Sequence, residues 1–124
     1  MQLHADTSDD TPTISGYGPG WLAVGQQRYA HSLILSATGL LQPWACTRFE
    51  DLTAAHFDAL AKLAADAQVV LFGSGAQQRF APAAWLRPLV RQRIALESMS
   101  TPAACRTYNI LAMEGRKVVA ALLV

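Results

Sequence analysis

The stretch Glu97-Ser98-Met99-Ser100-Thr101-Pro102-Ala103-Ala104-Cys105-Arg106-Thr107-Tyr108-Asn109-Ile110-Leu111 decides the fold, with Glu114-Gly115-Arg116-Lys117-Val118-Val119-Ala120-Ala121-Leu122-Leu123-Val124 close behind it. Ile94 to Ser98 reads as a strand. Thr101 followed by Pro102 makes an N-cap and a first helical residue that has no N–H to leave unpaired. The helix predicted from Pro102 runs to about Glu114, and Gly115 suits the left-handed position that stops it. Lys117 to Leu123 then closes the chain as an apolar strand. That order sets Thr101, Arg106, Asn109 and Glu97 near one end of a sheet, where open α/β proteins hold ligands.

Working outward, Val69-Val70-Leu71-Phe72 is apolar without alternation, as a strand covered on both faces should be. Gly73-Ser74-Gly75 follows it as a loop. Pro82 suits the first turn of a second helix on which Trp85 and Leu89, and Leu86 and Val90, lie one turn apart. Pro88 inside that helix kinks or shortens it, because it removes a donor and crowds the preceding turn. Upstream, Thr53 caps a helix reaching Leu63 or Ala65, with an apolar stripe of Leu52, Ala55, Phe57, Leu60, Ala61 and Ala64. The first third of the chain is short strands. Ile14 to Tyr17 meets the turn Gly18-Pro19-Gly20, and Trp21 to Val24 pairs through Gly25-Gln26 with a strand from Gln27 to Leu35. Residues 1–12 read as a mobile tail and 13–124 as a single domain. Helix and strand alternate in the second half, so an α/β layered domain follows, with a β-rich N-terminal portion beside it.

Composition narrows the function classes. Of 124 residues, 52% are hydrophobic and only 15% charged, against roughly 25% charged in typical domains. So few charges leave a self-association face, and hence a homo-oligomer, open. The longest apolar run, Val118 to Val124, is far short of the roughly 20 residues that cross a bilayer. The N-terminus has neither a secretory signal nor an arginine-rich leader, which points to the cytoplasm and to no membrane insertion. Cys46 and Cys105 match no metal-ligand spacing, and His4, His31 and His56 are scattered, so no metal or cofactor is implied. A net charge of +1 argues against nucleic acid as a partner. The charge is uneven, however. Residues 1–70 carry seven acids and three bases, whereas 71–124 carry seven bases and two acids. Either the two halves attract within the fold or the second presents a basic face.

Several residues have the right type for chemistry. Gly73-Ser74-Gly75 sits where glycine-rich anion loops occur, but no Gly-Lys-Ser/Thr follows and Gln78 stands where a dinucleotide loop has its third glycine. The start of the Pro102 helix offers backbone donors and a positive dipole end, beside the small Ala103 and Ala104; alternatively Ser100 and Thr101 satisfy those donors themselves. Glu97 alternates with Ala95 and Met99, which aims it into a covered face. It is then either ion-paired with Arg106 or Arg116 or held as an acid–base group with a shifted pKa. Cys105, in the first turns of the helix, is a packed apolar residue or a thiol acidified by the helix terminus. No hydrolase triad can be assembled.

These features carry a family resemblance. Gly16-Tyr17-Gly18, Gly25 with Tyr29 and Ser32, Leu71-Phe72-Gly73-Ser74-Gly75, and above all the block from Glu97 to Ala120 resemble a family of small proteins known as a domain of unknown function. That family includes mitochondrial complex I assembly factor three and an adipogenesis-associated vertebrate protein. Thr107-Tyr108-Asn109 and Glu114-Gly115-Arg116 belong to the same block, and the likeness spans residues 13–124. Ser74 and Ser100 depart from the threonine and aspartate of the family pattern, which removes a carboxylate from the helix mouth. The resemblance implies a three-layer α/β fold with a mixed central sheet, helices on its faces and an added N-terminal β layer. It implies no established enzymatic activity. Two readings result. One is a non-catalytic binding or assembly-helper protein with a protein partner on the Arg87 and Arg91 side of the second helix. The other is a small-molecule protein or enzyme with an anionic ligand between Gly73-Ser74-Gly75 and the Pro102 helix, lined by Glu97, Thr101, Arg106 and Asn109.

Overall fold

Strands whose residues are all apolar must be covered on both sides, and the two central strands meet that condition. A computed structural model describes residues 11–124. Strands β4 (Leu33–Ser36), β5 (Leu41–Pro43), β6 (Val69–Gly73), β7 (Ala95–Met99) and β8 (Val118–Leu122) form one sheet in the order β5-β4-β8-β6-β7. β6 runs parallel to β7 and β8, while β4 is antiparallel to β8 and β5, so the sheet is mixed. Every residue of β6 and β8 is buried.

Side chains alternate across a strand, and that alternation deals the core into two halves. Val70 and Phe72 join Ile34, Val119, Ala121 and Leu123 against helix α1 (Ala54–Leu63), which contributes Phe57, Leu60 and Ala61. Val69 and Leu71 join Leu33, Leu35, Val118, Ala120 and Leu122 against helix α3 (Thr101–Met113), which contributes Ala104, Cys105, Tyr108 and Ala112. The same half receives Ile14, Leu22 and Val24 from an antiparallel three-stranded sheet of β1 (Ile14–Gly18), β2 (Trp21–Val24) and β3 (Gln27–Tyr29). The added β layer therefore lies on the α3 face of the central sheet. Phe57, Phe72, Trp44 and Trp85 stack edge-on or tilted in the opposite half.

Three local expectations need correction. The strand read from Gln27 to Leu35 is two strands in two sheets. Arg28 lies 3.7 Å over the Trp21 ring in the small sheet, whereas Leu33 to Ser36 are fully buried in the large one. Ser32 marks the junction, with its carbonyl accepting from the Trp44 N–H and its hydroxyl from the Val124 N–H. The second helix is also divided. Ala83–Leu86 is a 3-10 turn, and helix α2 (Arg87–Arg91) restarts with Pro88 in its first turn, where a missing N–H costs nothing. Leu89 is buried and Leu86 packs half-buried against the core, but Val90 is 68% exposed, so the Leu86–Val90 row does not face the core as a whole. In α1, Ala55 is exposed, and the buried stripe consists of the other five residues.

The α1 cap is as expected, with a partner the sequence did not announce. The Thr53 N–H donates to His56 Nδ1 at 3.0 Å, which leaves Nε2 protonated and donating to the Ala45 carbonyl at 2.9 Å. Of the proposed N-terminal tail, residues 1–10 lie outside the described residues. Pro12 is held: its carbonyl accepts from the Tyr108 hydroxyl at 2.7 Å.

Candidate functional site

β6 leaves the sheet at Gly73 directly against the first residue of α3. A Cβ built on Gly73 would stand 2.8 Å from Leu122 Cδ2, 2.9 Å from Thr101 Oγ1 and 3.1 Å from Thr101 Cα. Only glycine lets strand and helix approach so closely. Thr101 is buried, and it joins three chain segments at once. Its N–H donates to the Gly75 carbonyl at 2.7 Å, its hydroxyl donates to the Leu123 carbonyl at 2.6 Å, and that hydroxyl accepts from the Gly75 N–H at 2.9 Å. Leu123 returns an N–H to the Gly73 carbonyl at 2.9 Å. Ser74 shapes the loop in the same way. Its oxygen lies 2.6 Å from the Gln77 carbonyl and 3.1 Å from that of Met99, and it accepts from the Arg79 N–H.

Thr101 is therefore not the N-cap. Ser100 is, accepting from the Ala103 N–H at 3.3 Å through its hydroxyl. The Ala104 N–H bonds the Ser100 carbonyl, and Pro102 has no N–H. The first turn of α3 accordingly has its donors bonded within the chain, so the electropositive notch expected for an anion is not built. Cys105 is buried against the sheet, and burial pushes its thiol up to about 12, outweighing the opposing field of Arg106. That desolvation works against an acidified thiol at the helix terminus. Burial likewise raises the Tyr108 hydroxyl, which remains a neutral donor to Pro12.

The remaining site residues disperse. Glu97 is exposed on β7, which is an edge strand, and forms no ion pair with Arg106 or Arg116 among the described residues. Its expected burial fails because alternation with Ala95 and Met99 was read as inward, whereas Ala95 is exposed too. Asn109 faces the added sheet. Its amide accepts from the Ile14 N–H and donates to the Ile14 carbonyl, both at 2.8 Å. Arg106 donates to the Tyr17 hydroxyl at 2.8 Å. These two residues, with Tyr108, brace the β1–β2 hairpin on α3.

Gly75 and Thr101 do share a cavity. It has a volume of about 520 Å³, with Gly75, Ala76, Thr101 and Pro102 on one side, the Tyr17-Gly18-Pro19-Gly20 turn on the other, and Leu123 and Val124 between. Glu97, Arg106 and Asn109 are not in its lining. The hairpin wall was missed by sequence reading. Gly18-Pro19-Gly20 announces a turn, but nothing local says that the turn overhangs the end of a strand a hundred residues away. A second hollow of about 300 Å³ shares Gly75, Ala76, Leu123 and Val124 and adds Arg48, Glu50 and Arg79. There Arg79 Nη1 bonds Glu50 Oε2 at 2.6 Å, and Arg48 pairs with Asp51 at 3.3 Å. Among the described residues no three histidine, cysteine or carboxylate side chains converge on one point.

Arg87 and Arg91 lie elsewhere, exposed and one turn apart on α2. Neither forms an ion pair among the described residues. No acid occurs in the sequence between Asp66 and Glu97.

The pattern of the family described as "Protein of unknown function (DUF498/DUF598)" matches residues 14–123. This chain belongs to that family. An uncharacterised protein of Rhodobacter capsulatus is 37% identical over 110 residues, covering 89% of this chain and 82% of that one. The 13 kDa major membrane protein of Francisella tularensis subsp. holarctica is 30% identical, covering 82% of each chain. Bovine NADH dehydrogenase [ubiquinone] 1 alpha subcomplex assembly factor 3 is 32% identical over 89% of this chain, which spans 59% of that protein. A crystal structure from Bordetella parapertussis superposes with a TM-score of 0.84 at 40% identity, covering 91% of this chain and 95% of that one. A Bordetella pertussis solution structure described as a Mth938-like domain gives 0.85 at 33% identity, covering 99% and 92%. The DUF498/DUF598 fold is thus the three-layer arrangement described above.

Proposed function

We propose that this protein is a non-catalytic binding or assembly-helper protein that acts through protein contacts, and that α2 presents one contact face. The observation that carries this reading is the contrast in how polar side chains are used. Thr101, Ser74, Asn109 and Arg106, four of the polar residues around the proposed pocket, are bonded to the protein's own backbone or to Tyr17, and Glu97 lies outside the cavity. Arg87 and Arg91 flank an exposed Val90 on a surface without neighbouring acids in sequence, an arrangement of charge around apolar area that suits a protein interface. Membership of a family that contains a complex I assembly factor supports the same reading.

The face is tested by affinity capture with the wild-type protein and the R87E/R91E double variant. A specific partner recovered by the first and lost by the second is the expected outcome; equal recovery removes α2 from the interface. A second copy of this chain is the other partner that the low charge content favours, and sedimentation velocity of the same two proteins distinguishes it. A cytoplasmic location forms part of this proposal. No helix among the described residues is long and apolar enough to cross a membrane, yet the Francisella relative is named a membrane protein. Fractionation into soluble and membrane pools, with a carbonate wash, decides between them.

A further inference from the structure

We infer that the 520 Å³ cavity between the β1–β2 turn and the start of α3 is a binding site for a neutral, flat aromatic small molecule. The volume falls in the range of small-ligand pockets, roughly 300–1,000 Å³. Three observations fix the chemistry.

First, no side chain of the walls carries a charge. None of the lining residues is an Asp, Glu, Lys, Arg or His. Tyr17, Pro19 and Pro102 are among the lining residues, and an aromatic ring between apolar rings is a favourable neighbour for a flat aromatic ligand. Second, several backbone donors around the cavity are bonded elsewhere. The N–H groups of Gly75, Thr101, Leu123 and Val124 are each bonded within the chain, and Pro19 and Pro102 have none. An anion entering this space would lose its hydration and gain few donors, whereas a neutral ring loses little. Third, the space is preformed. Its two walls belong to different elements, and the Asn109–Ile14 and Arg106–Tyr17 bonds fix their separation. Gly20 and Gly75 take positive φ, 79° and 102°, which shapes the two loops that border the space. At Gly18 a Cβ would collide with the Trp21 indole. The site goes beyond the protein-contact reading and is independent of it, as no lining residue comes from α2.

The test is a titration of the ¹⁵N-labelled full chain, followed by amide shifts, with indole and 2-naphthol as neutral probes and inorganic phosphate as the anionic one. Saturable shifts confined to Gly75, Ala76, Thr101, Leu123 and the Gly18–Gly20 turn are expected for at least one neutral probe, and none for phosphate. Ala76→Trp, in an exposed loop, should weaken that probe at least tenfold. Intermolecular Overhauser effects to the Leu123 and Val124 methyl groups give a readout independent of any variant. Scattered or absent shifts with both neutral probes, or saturable phosphate binding at the same amides, would overturn the assignment.

Discussion

Two regions of this molecule treat polar groups in opposite ways. At the mouth where β6, β8 and α3 meet, a single buried hydroxyl on Thr101 serves Gly75 and Leu123 together, and Gly73 is pressed against it. On α2, Arg87 and Arg91 stand in solvent without an ionic partner among the described residues. The difference teaches that residues suited to chemistry are not thereby available for it. At the mouth their hydrogen-bonding capacity holds the layers together, so substitution there should register as lost stability. On α2 it should register as lost association.

The largest effect should come from Thr101→Val, which keeps the volume but orphans the Leu123 carbonyl and the Gly75 N–H. Each buried group left unbonded costs about 1–3 kcal/mol, so a loss near 3 kcal/mol is expected. Urea unfolding would report it as a lower midpoint with an unchanged slope; an unmoved midpoint would mean the bonds at the mouth are dispensable. Gly73→Ala comes next. Its methyl must push apart Leu122 and the Thr101 backbone, an overpacking worth about 1–3 kcal/mol, and calorimetry should show a lower Tm.

Asn109→Leu sharpens the comparison by separating the added sheet from the central one. Losing both Ile14 bonds should cost about 1–2 kcal/mol, and hydrogen exchange should quicken in β1 while β6 and β8 stay protected. A uniform loss of protection would mean that the hairpin and the central sheet open as one unit. The smallest effect belongs to Arg79–Glu50, a pair about half exposed. The Arg79 hydrogen bond holds the Glu50 carboxyl below its ordinary value. A depressed folded pKa means stability present above the unfolded value and lost as the pH falls through the folded one. The small Tm difference between wild type and Glu50→Gln should therefore be present at pH 7 and shrink as the pH falls below the ordinary carboxylate range.

Much of the architecture was legible because its signals are local. Apolar runs without alternation at Val69 to Phe72 and Val118 to Leu123 announced strands covered on both sides, and Pro102 and Gly115 bracketed α3. The juxtaposition of the Gly73 loop with that helix also followed from strand–helix order. The site itself was less legible, since it depends on where side chains point after long-range packing. Ser100 and Thr101 are both competent caps, and only the docked Leu123 carbonyl decides which of them turns inward. Glu97 looked buried because strand alternation cannot tell a central strand from an edge. Tyr17 and Pro19 gave no sign of overhanging Thr101, because the hairpin reaches it through Asn109 and Arg106, whose partners are some ninety positions earlier in the chain.

The two-sided cover of β6 has a further consequence. In a strand with one wet face, a slip by one residue would drag apolar groups into water and be rejected on that ground. Here Val69, Val70, Leu71 and Phe72 are all buried, so sliding the strand exchanges one greasy face for another. Burial alone is a poor ruler for such a strand. The graduation is supplied from its tip, where Gly73 admits the helix at only one position along the chain and the Thr101 hydroxyl finds its acceptor only in that setting. The mouth therefore acts as the end-stop that tells the sheet where to halt.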